Sequence, residues 1–415
     1  MNGFFDKDQL HSGAYKSEKG VLSCASCGLY KTATTPKMKP FGEFKKGIMV
    51  IGEGPCEDDD LKGIPWQGKL GRVLQRKYKE LGIDIFKDCI SLHAVNCWPS
   101  DKKGNNRTPS DHEIACCRQK VLLAIQQYKP KVIILQGNSA ISSIITGYRW
   151  KGNPSGISAW RGWTIPDREF GAWVCPTFHP SFIERQEQAN EAVVIWTNDL
   201  RQAIAKADVP FPIYEDERRQ VILYKSGTPA LNTMLKNILR EKPSLLAFDI
   251  ETTGLKPYNK ENHQIVSISF CYEDDKAHAL LMPSEGKDFR LVKKILECPD
   301  IGKIAANMKH EDNWLSTLCG ISTNPWNFDT MQAAHILDNR PGVTGLKFQS
   351  YIKFGLSGYE QEISPFLKSP DANTPNRISE LTKDKDALNK LLTYNGIDSL
   401  VTFRLAAVQK IEMNF

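Results

Sequence analysis

Short apolar runs of strand length alternate along this chain with longer segments whose apolar residues recur every three or four positions. GIMVIGEG reads as a buried strand closing on a glycine turn, and LGRVLQRKYKELG as an amphipathic helix. CISLHAV follows as a second strand and HEIACCRQKVLLAIQQY as a helix. KVIILQGNSAI is a third strand running into a helix, and WVCPTFHPS a last strand ending in a loop. Strands of this kind predict a parallel sheet with helices on both faces. Functional groups then belong beyond the carboxyl ends of the strands, where Glu53, His93, Asn138 and His179 fall.

The rhythm breaks from Ala205 to Arg219 (AKADVPFPIYEDERR), which is aperiodic, charge-rich and holds two prolines. Residues 206–219 are therefore expected to be a linker between domains at 1–205 and 220–415. A second α/β pattern follows: VILYK, the helix PALNTMLKNILREK, the strand LLAFDIE, then IVSISFCY and HALLMPS as hairpin-like strands. From Ile304 onward the chain reads mainly as helix, with a loop from Phe366 to Glu380.

At 415 residues there is chain enough for two domains, each with its own core. No apolar run approaches the roughly 20 residues that span a bilayer. MNGFFDKDQL lacks the layout of a signal peptide, so a cytoplasmic protein without membrane contact is expected. Residues 1–210 hold 29 Lys and Arg against 22 Asp and Glu, whereas 211–415 hold 25 against 26. The basic half permits a polyanionic partner without establishing one. Eleven cysteines in such a chain point to metal ligation for some rather than to a disulfide framework.

The chemistry concentrates in the second half. In LLAFDIETTGL, Asp249 and Glu251 stand two apart on a strand, so both carboxylates point to one face and need a cation to hold them together. NMKHEDNWL, read as helix, puts Asn307 and Glu311 one turn apart, and YNGIDSLVTFRL does the same for Tyr394 and Asp398. These segments, with FDTM at Phe328–Met331, occur in the order found in the proofreading exonuclease domain of family A DNA polymerases, which residues 212–412 resemble. The resemblance implies an RNase H-like fold with a mixed sheet. It also implies 3′–5′ trimming of DNA by two Mg²⁺ or Mn²⁺ ions about 3.5–4 Å apart, held by Asp249, Glu251, Glu311 and Asp398, with Tyr394 orienting the water. Glu311 stands where the family has aspartate, and Asp312 follows it. Either carboxylate fits, and the one-turn spacing to Asn307 and Leu315 favours Glu311.

In the first half, Cys24 and Cys27 form a C-x₂-C hook, with Cys97 and Cys117 further on. Four thiolates suit zinc or a [4Fe–4S] cluster equally. GEGPCEDDD, GIPWQGKLG, CWPSDKKGNNRTPSDHEIACCR, KPKVIILQGNSA and PTFHPS together resemble family 4 uracil-DNA glycosylases, over residues 20 to 205. That resemblance implies an α/β/α sandwich and a structural [4Fe–4S] cluster on Cys24, Cys27, Cys97 and Cys117. It puts Glu53 near the attacking water or sugar, Trp66 stacking on a flipped base in place of phenylalanine, and His179 stabilising charge on the departing uracil. Asn138 falls among the substrate-binding positions. Two positions depart from the family: Cys56 replaces a glycine at the pocket floor, and His93 replaces the asparagine that reads the uracil edge. An imidazole presents its donor and acceptor in a different geometry from an amide.

The expectation is a DNA-processing enzyme joining a glycosylase-like domain to an exonuclease, part of a phage replicative polymerase in the host cytoplasm, with the polymerase on the same chain or another. The alternative keeps the exonuclease and makes the first half a non-catalytic DNA-holding module. His93 and Cys56 are the residues that speak for it.

Overall fold

The computed structural model describes residues 16–17, 20–21, 23–186, 190–258, 263–371 and 373–415. The chain divides into two compact units, with the division between Pro212 and Ile213.

The first unit is built on a five-stranded sheet. Its elements are β1 (Ile48–Gly52), α1 (Glu57–Lys62), α2 (Lys69–Glu80), β2 (Cys89–His93), α3 (Asp111–Tyr128), β3 (Val132–Gln136), α4 (Asn138–Ile141), β4 (Ile165–Asp167), β5 (Ala172–Thr177), α5 (Pro180–Arg185) and α6 (Asn190–Ala205). The strand order is β2-β1-β3-β5-β4. The first four strands run parallel and are buried along their whole length, which is why they read as unbroken apolar runs. The edge strand β4 pairs antiparallel with β5, so the sheet is mixed at one border. This strand, IPD, is too short and proline-bearing to stand out in the sequence. One face packs Ile48, Val50, Val132 and Ile134 against Leu74 and Tyr78 of α2 and Trp196 and Leu200 of α6. The segment expected as linker is not free throughout. Ala207 is buried, and Phe211 packs edge-on against Trp173.

The second unit carries β6 (Val221–Tyr224), α7 (Pro229–Glu241), β7 (Leu245–Thr252), β8 (Ile265–Glu273), β9 (Lys276–Leu281), α8 (Gly286–Leu296), β10 (Gly302–Ala305), α9 (Met308–Trp314), β11 (Trp326–Asp329), α10 (Thr330–Leu337), α11 (Leu346–Phe354) and α12 (Lys385–Glu412). Its sheet order is β11-β10-β7-β8-β9-β6. β7, β8 and β9 form an antiparallel meander, while β10, β11 and β6 join in parallel. The sheet is thus mixed, as the resemblance implied. Beyond Ile304 the chain is less helical than expected, because β11 is a sheet strand whose last two residues, Phe328 and Asp329, begin FDTM. The Phe366–Glu380 stretch likewise contains short helical turns. Asn376 ties it to β7, its backbone and side-chain amides donating to the carbonyls of Thr253 and Thr252. No helix among the described residues is long and apolar enough to cross a membrane.

Candidate active sites

In the second unit the acidic residues come together as their spacing required. Asp249 and Glu251 project from one face of β7, and α12 brings Asp398 to them. One carboxylate oxygen from each of the three lies within 4.8 Å of the others. Glu311, on α9, is buried and faces Asp249. Burial first, and neighbouring carboxylates second, hold the Asp249, Glu251 and Glu311 carboxyls well above the usual range. Asp249 keeps some surface open to solvent although protein atoms surround it closely, so burial acts most fully on Glu251 and Glu311. An acidic trio packed this tightly fits a divalent cation, because oxygen ligands and opposite charge relieve what burial and mutual repulsion cost.

Asp312, next in sequence, lies off this cluster and accepts from the Trp326 indole at 3.4 Å. Tyr394 is buried one turn before Asp398, its phenol kept protonated by burial and by the nearby Asp398 and Glu251 carboxylates. Asn307 departs from expectation. It is not in the helix but precedes it, with φ 74°. The left-handed turn exists because Asp329 captures the backbone N–H groups of Asn307 and Met308, each at 3.0 Å. Sequence reasoning also missed Asn395, whose side-chain amide donates to Asp249 at 2.7 Å, and Lys347 and Tyr359, which both donate to Asp398. The YNGID string contains Asn395, but nothing local says that its side chain reaches back to β7.

In the first unit, the carboxyl ends of the parallel strands gather Glu53, His93, Gly137 and His179. Glu53 accepts from Ser139 Oγ at 3.2 Å and is also held by Thr108, while burial, the larger effect, raises its carboxyl. Ser181 donates its backbone N–H to His179 Nδ1 at 3.2 Å, which leaves the proton of the neutral ring on Nε2. Burial pulls His179 down to about 3, so it stays neutral at physiological pH even though part of its surface opens outward. Trp66 and His93 are only 3% and 2% exposed, with ring centroids 4.9 Å apart and the Trp66 ring 6.0 Å from His179. Gly52 makes this possible, since a Cβ there would lie 2.5 Å from both rings. Trp66 holds φ +64°, unusual for a bulky residue, and its carbonyl accepts from Gln75 Nε2 at 2.7 Å.

Asp59, which sequence reasoning passed over, lies behind His93. It accepts from the backbone N–H of Gln67 at 2.6 Å and of Cys56 at 3.2 Å, and approaches His93 Nε2 at 3.5 Å. That last contact is electrostatic, because neither ring nitrogen of His93 makes a hydrogen bond. Cys56 caps α1 half-buried, its thiol pushed up to about 11 by burial. Asn138 is exposed and accepts from the Ile157 N–H at 2.8 Å. Further away, Cys24, Cys27, Cys97 and Cys117 line one cavity of about 340 Å³ together with Lys37, Lys39 and Lys120. The Lys37 N–H donates to Cys97 Sγ at 3.2 Å. Burial raises the thiols of Cys27, Cys97 and Cys117, the last to about 12. Cys116 turns instead to Ser26 Oγ at 3.3 Å.

Two enzyme classes thus share one chain, a base-excision fold and a nuclease fold. The profile of the uracil DNA glycosylase superfamily matches residues 39–201, and the 3′–5′ exonuclease profile matches residues 227–406. The type-4 uracil-DNA glycosylase of Thermotoga maritima is 32% identical over 188 residues, 44% of this chain and 88% of that protein. The DNA polymerase of Bacillus phage SP01 is 22% identical over 398 residues, 89% of this chain but only 40% of the polymerase. Among solved structures, Brucella melitensis NrnC with bound Mg²⁺ is 17% identical with a TM-score of 0.34, covering 47% of this chain and 82% of its own. The chain belongs, through its first unit, to the type-4 uracil-DNA glycosylase family, and carries a 3′–5′ exonuclease domain behind it.

Proposed function

We propose that the exonuclease trims DNA 3′ ends by two-ion phosphodiester hydrolysis, as part of a phage-type replicative polymerase whose polymerising domain or subunit works beside it. The observation that carries this reading is the convergence of Asp249, Glu251 and Asp398 from β7 and α12 within 4.8 Å. Two Mg²⁺ or Mn²⁺ ions supply Lewis acidity for the attacking water and the departing 3′ oxygen. Asp249, Glu251, Glu311 and Asp398 hold them. Glu311 is the ligand rather than Asp312, whose carboxylate serves the Trp326 indole. Asn395 fixes the orientation of Asp249, and the protonated Tyr394 phenol orients the water by hydrogen bond. Such a site grips phosphate and sugar, so trimming tolerates any sequence. The test is a 5′-labelled oligonucleotide with and without Mg²⁺. Laddering by wild type and its loss in Asp249→Ala supports the reading, whereas undiminished digestion in EDTA refutes it.

For the first unit, residues 1–205 ahead of a 206–219 linker, the leading reading is uracil excision from DNA. Glu53, held by Ser139 and Thr108, faces the attacking water or sugar. His179, neutral with its proton on Nε2, donates to the uracil oxygen as charge develops there. Trp66 stacks on the flipped base, His93 reads its edge, Cys56 forms the floor and Asn138 flanks the opening. Cys24, Cys27, Cys97 and Cys117 hold a structural [4Fe–4S] cluster. That these four cysteines line one cavity of about 340 Å³ supports the reading.

One observation favours the second reading, a DNA-holding module without base excision. The rings of Trp66 and His93, the residues proposed to stack on the base and read it, are buried against each other. A uracil-containing duplex incubated with the Asp249→Ala chain and then treated with alkali separates the two readings. Strand breaks at uracil establish excision. If there are none, and His93→Asn restores them, then His93 is what silences the pocket.

A further inference from the structure

The carboxylates of Asp249 and Glu251 are both relieved by one ammonium, that of Lys347. Lys347 is the second residue of α11, in the first helical turn, where the positive end of the helix dipole opposes a cation. Its placement is therefore not one that helix energetics would select. The side chain turns inward, donates to Asp398 Oδ1, and donates to the Tyr359 hydroxyl at 3.0 Å. That hydroxyl donates to the same Asp398 oxygen at 2.6 Å. The ammonium lies 4.2 Å from the centre of the Tyr359 ring and 4.3 Å from that of Tyr394. Two aromatic faces and a carboxylate thus enclose it, an arrangement that binds a cation by charge and by ring quadrupole together. The carboxylate is one of the acidic trio, and one of the rings is the proposed water-orienting tyrosine.

We infer that Lys347 is a resident cation of the exonuclease site, competing with divalent ions for Asp398 and holding Tyr394 in place until they load. Lys347 acts through Asp398 and Tyr394 and is a positioning residue. The inference rests on the reading of the acidic cluster as a divalent-ion site. It separates two roles that make opposite predictions. A lysine that merely packs or aligns the carboxylates leaves Mn²⁺ affinity unchanged or lower when it is removed. A competing cation raises it, because a positive charge some 4–5 Å from a divalent ion is worth at least about tenfold in affinity even where the surroundings are strongly polarisable.

The experiment is a Mn²⁺ titration of the full chain without DNA, with free Mn²⁺ followed by electron paramagnetic resonance. Asp249→Ala serves as the reference for ions bound at the cluster. Lys347→Met should bind those ions about tenfold more tightly than wild type, and Lys347→Arg, which keeps the charge, should stay near wild type. Equal or weaker binding by Lys347→Met overturns the inference. Should Lys347→Met lose the wild-type circular dichroism spectrum, Lys347→Gln carries the same prediction. If wild type shows no Mn²⁺ binding that Asp249→Ala abolishes, the divalent-ion reading itself fails. If that binding is present and Lys347→Met is unchanged, the inference alone fails.

Discussion

Replacing Asp249 with asparagine should stabilise the metal-free exonuclease while abolishing its activity. Were both ionised, two carboxylates at the 4.8 Å limit of this cluster would repel by about 3 kcal/mol at an effective dielectric near 20, a cost that proton uptake by the raised carboxyls caps. Asp249 faces two of them, Glu251 and Asp398, and Lys347 offsets part of the cost. Asparagine keeps an oxygen for the Asn395 amide, so the 2.7 Å hydrogen bond survives the change. A net relief of about 2 kcal/mol remains, which for a unit of this size raises the melting temperature by about 4–8 °C. Mg²⁺ should act in the opposite sense. At a hundred times its dissociation constant it adds about 2.7 kcal/mol to wild type and little to Asp249→Asn. Differential scanning calorimetry in EDTA and again in Mg²⁺ measures both, read on whichever transition responds to the ion. The reasoning fails if Asp249→Asn melts at or below wild type in EDTA, or gains as much from Mg²⁺.

Tyr394→Phe should cut the exonuclease rate by about a hundredfold, measured on the labelled oligonucleotide, while Mn²⁺ affinity stays near wild type. On the proposed cluster, the purified chain should be brown with iron bound, and Cys117→Ser should lose the colour and visible absorption, with iron analysis falling in step. His278, buried in contact with Tyr224 and Tyr272, is pulled down to about 4. Below its ordinary value of about 6.5 the unfolded chain takes up a proton that the folded chain refuses, so stability present above that value is lost as pH falls toward 4. His278→Phe should therefore flatten the fall in melting temperature between about pH 7 and pH 5. An unchanged slope refutes this.

What could be read in the sequence follows from how far each signal reaches. Asp249 and Glu251 were legible because a strand's twofold period places i and i+2 on one face, and Tyr394 with Asp398 because a helix turn does the same. Asn307 failed the same test. Its place relative to Glu311 is set by the Asp329 carboxylate, 22 residues further along the chain, and not by helical periodicity. Lys347, Tyr359 and Asn395 carry no local pattern, since their partners lie 39 to 146 residues off and only the fold joins them. In the first unit the parallel strands announced themselves as fully apolar runs, whereas β4 was too short to do so. His93 was visible as an oddity, but Asp59 behind it looked like one more acid in the EDDD run of α1.

Asp329, the acid of FDTM, is not among the proposed ion-holding carboxylates, yet it accepts from four backbone amides, those of Asn307, Met308, Met331 and Gln332. It pins the start of α9 and the start of α10 to the end of β11 with a single side chain. Glu311 begins one turn into α9, so its reach toward Asp249 is inherited from this knot. On the proposed reading of the acidic cluster, 3′–5′ exonuclease activity can therefore fail through a lesion that leaves every ion-holding carboxylate intact, because what is lost is the anchorage of the helix that aims Glu311.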